Sequence, residues 1–233
     1  MITRFDEEFD YVVSLTSYPK RIRMSEVPLV LFSIIRQKTE HRFKLVLVLC
    51  KLEFPNGIAD LPTEIQTFIT NGYITLLWCD ENLKAAKKYW PVHMKYPDKP
   101  IMTTDDDILL DSDVVDLFIR ESKRHPKCII TEHGFKLGNT SDIITGHFRL
   151  FPVDSLLDLP TTYFIECYQA LEDDAYNAYL ATLKNTNTVI LHSGKTHILN
   201  TPGFVGTAFS KTYLRVNPIE CRRKLTKKLA QKK

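Results

Sequence analysis

Residues 99–108 read Lys-Pro-Ile-Met-Thr-Thr-Asp-Asp-Asp-Ile, a short apolar run that ends in three consecutive carboxylates. Neighbouring carboxylates repel one another, and each loses solvation free energy when it is buried. Such a cluster at a strand end is therefore tolerated best where a cation binds. Carboxylates are typical ligands of Mg²⁺ and Mn²⁺, which also bind phosphates. The stretch indicates a metal-dependent enzyme with a nucleotide-linked substrate. The alternative is a solvated acidic turn.

Apolar runs and helical patterns alternate on both sides of this stretch. Runs that predict buried strands lie at 10–15, 43–50, 73–79, 100–104 and 128–131. Helical spacing is found between them, at 28–35, 61–72, 84–95 (with a bend at Pro91) and from Asp111 or Ser112 onwards. This order predicts a single α/β domain with a mostly parallel central sheet flanked by helices. Open sheets of this kind bind ligands at the carboxyl ends of their strands, where the acidic triplet lies.

After Glu132 the pattern is less regular. We predict a loop over 133–142, a strand over 144–151, a helix over 172–183 and a short strand over 189–191. The natural division within one compact unit is a nucleotide-binding half over 1–131, an acceptor-binding half over 132–221 and a basic tail over 222–233.

The composition is that of an ordinary globular protein, with 44% hydrophobic and 25% charged residues in a chain of 233. No apolar stretch is long enough to span a bilayer, and the acidic N-terminus lacks a signal-peptide core. We therefore expect a cytoplasmic protein. The five cysteines include no CxxC pair, which favours free thiols. GxGxxG and GxxxxGK[ST] motifs are absent, which argues against dehydrogenases and P-loop enzymes.

The positive charge is concentrated at the C-terminus. The chain has a net charge of +3, but residues 222–233 contain seven basic residues and no acidic one. The remainder has 24 basic and 28 acidic residues, which argues against binding of nucleic acid. The positive charge of this tail predicts peripheral contact with the anionic inner face of the membrane. A frayed, solvated terminus is the alternative, because the tail has few apolar residues.

Side chains alternate along a strand, so Asp105 and Asp107 share a face and converge on one cation. Asp106 then points elsewhere, for example to a ribose hydroxyl. A second acidic group, residues 172–174, lies at the start of a predicted helix. One of its carboxylates is a candidate general base toward a sugar hydroxyl. The alternative is that these acids complement the helix dipole.

Further candidates lie near other strand ends. Hydroxyl and guanidinium groups that can hold a base, ribose or phosphate follow the first strand, at Thr16, Ser17, Tyr18 and Arg21. Lys87 and Lys88 are candidates for neutralising a diphosphate, with a solvated helix face as the alternative. His192 and His197 are weaker candidates for a metal shell, and Trp90 for stacking on a sugar or base.

Five segments, taken in order, resemble bacterial glycosyltransferases with the GT-A fold that are related to the large family-2 group. The segments are VVSLTSYPKRI, KLVLVL, WCDENLKAAKKYWP, YPDKPIMTTDDDILLDSDVVDLF and LEDDAYNAYLATLKNTNTVIL. Together they cover roughly residues 10–192. The resemblance implies a GT-A-like fold and a nucleoside-diphosphate sugar as donor, bound by the first half.

The resemblance also implies roles for individual residues. Asp105 and Asp107 would bind Mn²⁺ or Mg²⁺ and the donor diphosphate, with Asp106 assisting at the sugar or ribose. Asp173 and Asp174 match the acidic pair that supplies the catalytic base. Nucleotide contacts fall on Asp80 at the base and on Lys87 or Lys88 near the phosphates.

The predicted function is a metal-dependent, hexosyltransferase-like enzyme. It would move a sugar from a UDP- or GDP-sugar to a hydroxyl of a glycan or lipid-linked glycan, with inversion, in polysaccharide or lipopolysaccharide synthesis. One alternative is a sugar-nucleotide nucleotidyltransferase, although residues 16–21 lack the glycine expected in its phosphate loop. Another is a non-catalytic module that binds a nucleotide sugar or glycan.

Overall fold

A computed structural model describes residues 8–136, 143–155 and 186–199. Strands and helices alternate along the first half: β1 (Tyr11–Thr16), α1 (Pro19–Ile22), α2 (Glu26–Ile35), β2 (Phe43–Cys50), α3 (Thr63–Thr70), β3 (Thr75–Cys79), α4 (Trp90–Lys95), β4 (Ile101–Thr103), β5 (Ile108–Leu110) and α5 (Val114–Arg124). The later described elements are β6 (Ile129–Lys136), β7 (Ile143–Phe151), β8 (Thr188–Ile190) and β9 (Thr196–Ile198). Short 3₁₀ helices include Lys84–Lys88.

The central sheet has seven strands in the order β3-β2-β1-β4-β7-β6-β8. The pairs β2–β3, β1–β2, β1–β4 and β6–β8 are parallel, whereas β7 is antiparallel to both β4 and β6. The predicted mostly parallel α/β sheet is therefore confirmed. A second, two-stranded sheet pairs β5 with β9 in antiparallel register.

Burial explains why the strand sequences are so apolar. In β2 every residue from Leu45 to Cys50 is buried, because β2 lies inside the sheet between β1 and β3. A strand covered on both faces needs apolar side chains at successive positions rather than in alternation. Helices α2 and α5 contribute further apolar side chains to the same core, including Leu31, Ile34, Val115 and Phe118.

The helix ends follow local chemistry. Helix α3 ends at Thr70, and Gly72 adopts φ +75°, a left-handed conformation that favours glycine. A glycine just after the last helical residues therefore ends α3 in a conformation typical of helix C-termini. Helix α5 begins after Asp113, rather than after Asp111 or Ser112 as predicted. Pro91 does not break a long helix: it lies in the first turn of α4, where its missing N–H carries no penalty.

The prediction of a loop from His133 was wrong in part. Residues His133–Lys136 continue β6 and pair with β7, with a register irregularity between Thr131 and His133. The polar residues and Gly134 in this segment do not form the apolar run that predicts a strand. The strand is stabilised instead by its pairing with β7. The predicted helix at 172–183 lies outside the described residues. Of the described cysteines, Cys50, Cys79 and Cys128 are free thiols, as predicted.

Within the described part of the chain, no helix is both long enough and apolar enough to cross a bilayer.

Candidate active site

The site is formed where the neighbouring parallel strands β1 and β4 end at the same edge of the sheet. Ser14 of β1 is in register with Thr103 of β4, and the Thr104 N–H donates to the Ser14 carbonyl at 3.0 Å. The chain then leaves β1 through Ser17 and leaves β4 through the acidic triplet. Two segments far apart in sequence therefore meet at one strand edge.

Asp106 lies at the centre of the contacts between these two segments. Its carboxylate accepts hydrogen bonds from Ser17 Oγ at 2.5 Å and from Arg21 Nη1 at 2.6 Å. Only 5% of Asp106 is exposed. The triplet follows the end of β4 at Thr103, so strand alternation does not apply to it, and within the described residues the partners of Asp106 are protein groups.

The other two carboxylates also form ion pairs. Arg21 Nη2 donates to Asp107 Oδ2 at 2.8 Å, so one guanidinium bridges Asp106 and Asp107. Lys88 Nζ donates to Asp105 Oδ1 at 2.6 Å, and the Lys88 side chain is 3% exposed. The side chain of Asp105 is 40% exposed. The triplet therefore combines an open carboxylate with buried positive partners.

The three carboxylates differ in protonation behaviour. Burial raises the pKa of Asp106 to about 7, against the opposing effect of Arg21. Burial, followed by repulsion from Asp105, also raises the pKa of Asp107. Partial burial acts in the same direction on Asp105, but the charges of Lys88 and Arg149 outweigh it and lower the pKa of Asp105. Asp105 is therefore the carboxylate most firmly held as an anion.

Lys87 contacts the segment after β1 that bears Ser17. Its buried ammonium donates to the Ser17 carbonyl at 3.2 Å and to Glu53 Oε2 at 2.8 Å. It does not bind the acidic triplet in the described contacts. The two lysines, adjacent in the 3₁₀ helix, therefore have different partners, which their positions in the sequence did not reveal.

The remaining predicted nucleotide contacts surround this centre. Thr16 Oγ1 donates to the Val48 carbonyl at 2.7 Å, so this hydroxyl ties β1 to β2. Tyr18 is buried immediately before α1. Asp80 follows β3, has an 85% exposed side chain and pairs with Lys51 at 2.8 Å. Of these three residues, Asp80 presents the most accessible polar group.

Sequence reasoning missed two histidines near the triplet. The ring of His133 lies 4.8 Å from that of His147 and 6.0 Å from that of His192, measured between centroids. Burial lowers the pKa of His147, although the charge of Asp105 acts in the opposite direction. His147 and His192 both have positive φ, 64° and 50°, which is uncommon for residues other than glycine. The pairing of β6 with β7 and with β8 brings the rings together, so no local sequence signal predicts the cluster.

The other predicted site residues are placed differently. His197 lies on β9 of the small sheet, and its Nε2 is 3.0 Å from Asp111 Oδ1, with both side chains about half exposed. Trp90 is the first residue of α4 and is partly buried. Asp173, Asp174 and the basic tail at 222–233 lie outside the described residues.

The carboxylates fit a divalent cation that binds together with phosphate. Among the described residues, no set of three or more His, Cys, Asp or Glu is arranged to hold a metal ion. The described ion pairs use Asp105 Oδ1 and Asp107 Oδ2. Mg²⁺ is usually held by one or two carboxylates, with substrate phosphates and water completing its shell. Asp105 and Asp107 match that donor set.

Comparison with known proteins identifies the fold. No protein-family model and no curated protein matches the chain. Among solved structures, S. aureus TarS 1–349 in complex with UDP aligns with a TM-score of 0.54 and 10% identity, over 79% of this chain and 58% of that one. Mannosyltransferase PcManGT from Pyrobaculum calidifontis, in complex with GDP-Man and Mn²⁺, gives 0.55 and 14%, over 80% and 56%.

A putative glucose-1-phosphate thymidylyltransferase from Bacillus anthracis, in complex with a sucrose, gives a TM-score of 0.54 and 9% identity, over 90% of this chain and 98% of that one. By contrast, the chain spans less than two thirds of the length of the TarS and PcManGT chains. At these identities the likeness concerns the fold. The chain has the GT-A fold, which glycosyltransferases and nucleotidyltransferases share.

Proposed function

We propose that this chain is a glycosyltransferase that takes its sugar from a nucleoside-diphosphate donor. The observation that carries the proposal is the meeting of Asp105, Asp107, Arg21 and Lys88 at the shared carboxyl edge of β1 and β4. In open α/β sheets this edge is where ligands bind. The GT-A fold supports the same class of donor.

The donor site is proposed to lie within residues 1–131. Asp80 is exposed at the end of β3 and would contact the base, with Thr16 and Tyr18 shaping the pocket beside it. Ser17 and Arg21 would hold the acidic triplet in position, and Lys87 would hold Ser17 in turn. Asp106 would act mainly through these contacts rather than by binding the ribose itself.

Asp105 and Asp107 would hold Mn²⁺ or Mg²⁺ against the diphosphate. Such a cation acts as a Lewis acid that stabilises the departing diphosphate. Lys88 would add positive charge at the same leaving group, because its ammonium already lies at Asp105. These side chains bind and orient the leaving group, whereas the proton transfer belongs to other residues.

The acceptor is proposed to bind within residues 132–221. Asp173 or Asp174 would remove the proton from the acceptor hydroxyl. With one base and a single displacement, the anomeric centre would invert. A glycan or lipid-linked glycan in polysaccharide or lipopolysaccharide synthesis is the proposed acceptor, with the basic tail at 222–233 at the inner membrane face. The catalytic acids and the tail are proposals from sequence alone.

A nucleotidyltransferase is the second candidate. The putative thymidylyltransferase with a similar fold is matched over 98% of its length. Against this candidate, residues 16–21 contain no glycine, and the side chains there are tied down by Asp106 and Val48. A nucleoside triphosphate would need a loop whose backbone N–H groups face its phosphates.

Product analysis separates the candidates. The full chain is incubated with Mn²⁺ and a panel of UDP- and GDP-sugars, and released UDP or GDP is measured. A parallel reaction supplies nucleoside triphosphates with sugar 1-phosphates, and pyrophosphate is measured. We expect nucleoside diphosphate in the first reaction and no pyrophosphate in the second. Pyrophosphate release would favour the nucleotidyltransferase, and donor binding without either product would favour a binding module.

Asp107→Ala tests the role of the triplet in this reaction. We expect donor turnover to fall roughly 100-fold, because the variant loses a carboxylate at the leaving group. Asp98→Ala is the matched control, since Asp98 is an exposed carboxylate that precedes β4 at its opposite end. Equal turnover in wild type and Asp107→Ala would contradict the proposed function.

A further inference from the structure

Lys88 has an unusual position for a lysine, because its charged group is buried against a carboxylate that the proposed function assigns to a cation. Its side chain is 3% exposed, and its ammonium lies 2.6 Å from Asp105 Oδ1. A buried lysine is tolerated when it is paired with an anion, and the partly exposed Asp105 supplies that anion. The ammonium therefore already provides the positive charge that Asp105 requires.

Positive side chains lie next to all three carboxylates of the triplet. Arg21 bonds to Asp106 and Asp107, Lys88 bonds to Asp105, and the buried Arg149 acts electrostatically on Asp105. Among the described residues, these three carboxylates thus lie near three positive side chains. A divalent cation that enters this cluster alone meets repulsion from these positive groups in addition to attraction from the carboxylates.

Arg21 and Lys88 differ in how easily they can move. The Arg21 guanidinium bonds to two carboxylates through separate nitrogens, a geometry that fixes its plane. Lys88 carries a point charge on a flexible four-carbon stem. Among the described residues, Lys88 Nζ bonds to Asp105 of the triplet. Of the two, Lys88 is the side chain that can exchange one anion for another without disturbing Asp106.

We propose that Lys88 is a positioning residue that exchanges partners: it holds Asp105 before the ligands bind, and moves to the diphosphate when cation and nucleotide bind together. The proposal rests on the proposed function. Release of Asp105 to the cation then requires a second anion to receive the ammonium. Cation and nucleotide binding are therefore positively coupled, and by linkage each strengthens the other by the same factor.

The test measures Mn²⁺ binding to the full chain by electron paramagnetic resonance of free Mn²⁺, with and without UDP or GDP. In wild type we expect weak binding of Mn²⁺ alone and tighter binding with nucleotide. Lys88→Gln removes the competing ammonium, and we expect Mn²⁺ alone to bind roughly 10–100-fold more tightly. The enhancement by nucleotide should shrink by a similar factor. A structural defect would weaken binding, so a gain identifies the exchange.

Two further variants make the test specific. Lys99→Gln is the matched control, because it removes one positive charge from a solvent-accessible ion pair with Asp98 before β4, at the end opposite the triplet. It should leave Mn²⁺ binding as in wild type. Lys88→Arg keeps the charge and should keep binding of Mn²⁺ alone weak. Should Lys88→Gln fail to fold, Lys88→Met fills the buried space without charge and gives the same test.

The outcomes separate the two proposals. If wild type binds no Mn²⁺ with either nucleotide, the proposed metal-dependent function fails, and the exchange fails with it. If wild type binds Mn²⁺ with nucleotide but Lys88→Gln and Lys88→Met bind Mn²⁺ alone no more tightly than wild type, only the exchange is overturned. An equal gain in Lys99→Gln would also overturn it, because the effect would then be one of net charge.

Discussion

Asp106 holds together the two segments that build the site, since it accepts hydrogen bonds from Ser17 and Arg21 while Arg21 also binds Asp107. A carboxylate between two others, and buried, is costly to ionise. Burial accordingly raises the pKa of Asp106 to about 7. The residue that organises the triplet is thus also one that makes folding depend on pH.

The pH dependence has a definite sign. An aspartate in an unfolded chain has a pKa of about 4, so the folded state keeps the Asp106 proton to higher pH than the unfolded state does. The stability associated with that proton is fully present below about pH 4 and is lost as the pH rises through about 7. Asp106→Asn cannot lose this proton.

We therefore expect the free energy of unfolding of wild type to fall relative to Asp106→Asn as the pH rises from 5 to 8. The slope for one group is at most about 1.4 kcal/mol per pH unit. Urea unfolding of both proteins across this range measures the difference. Parallel curves would contradict the raised pKa and would show that Arg21 keeps Asp106 ionised throughout this range.

At the scale of elements, helix α5 is joined to the sheet through aromatic contact. Phe118 of α5 and Phe148 of β7 are fully buried, with ring centroids 4.6 Å apart in an edge-on arrangement. Phe118→Ala should lower the free energy of unfolding by about 3–5 kcal/mol, because it leaves a cavity and removes the contact. Urea unfolding is the measurement.

Phe32→Ala on α2 is the matched control for this prediction. Phe32 is 47% exposed, so its truncation removes less buried surface and should destabilise the protein by less than about 1.5 kcal/mol. Comparable losses in the two variants would contradict the assignment of Phe118 to the core.

Strand β8 and the turn after it are held to β6 by a buried carboxylate. Glu132 is fully buried and accepts hydrogen bonds from Ser193 Oγ at 2.7 Å and the Gly194 N–H at 2.8 Å. Glu132→Ala removes both acceptors, and we expect a loss of about 1–3 kcal/mol. Hydrogen exchange at Gly194 should accelerate in this variant, whereas Glu64→Ala on the exposed face of α3 should leave it unchanged. Unchanged exchange in Glu132→Ala would show that other contacts hold the turn.

The elements that could be predicted are those that their own sequence determines. Strand β2 is apolar at successive positions, and α3 has both helical spacing and a glycine cap. Strand β6 beyond Thr131, by contrast, depends on β7, and the β5–β9 pair joins segments distant in sequence. These strands are stabilised by segments distant in sequence, so a short stretch of sequence does not reveal them.

At the scale of the whole molecule, the same distinction applies to the site. The acidic triplet at the end of β4 and the polar turn after β1 were both evident in the sequence, because each follows a buried strand. The pairing of Lys88 with Asp105, and of Lys87 with Glu53, was not evident in the sequence. The two lysines are adjacent, so the sequence does not show which of them faces which carboxylate. The cluster of His133, His147 and His192 was also missed, because its residues come from three separate segments of the chain.

The central claim is that the carboxyl edge shared by β1 and β4 binds a divalent cation and a nucleoside diphosphate together. The most direct test is a crystal structure of the full chain grown with Mn²⁺ and UDP, and a second grown with Mn²⁺ and GDP. Our account predicts Mn²⁺ bound by Asp105 and Asp107 and by diphosphate oxygens, with the Lys88 ammonium moved toward the phosphates. A well-ordered nucleotide bound at another part of the molecule, with the acidic triplet still paired only to Arg21 and Lys88, would contradict it.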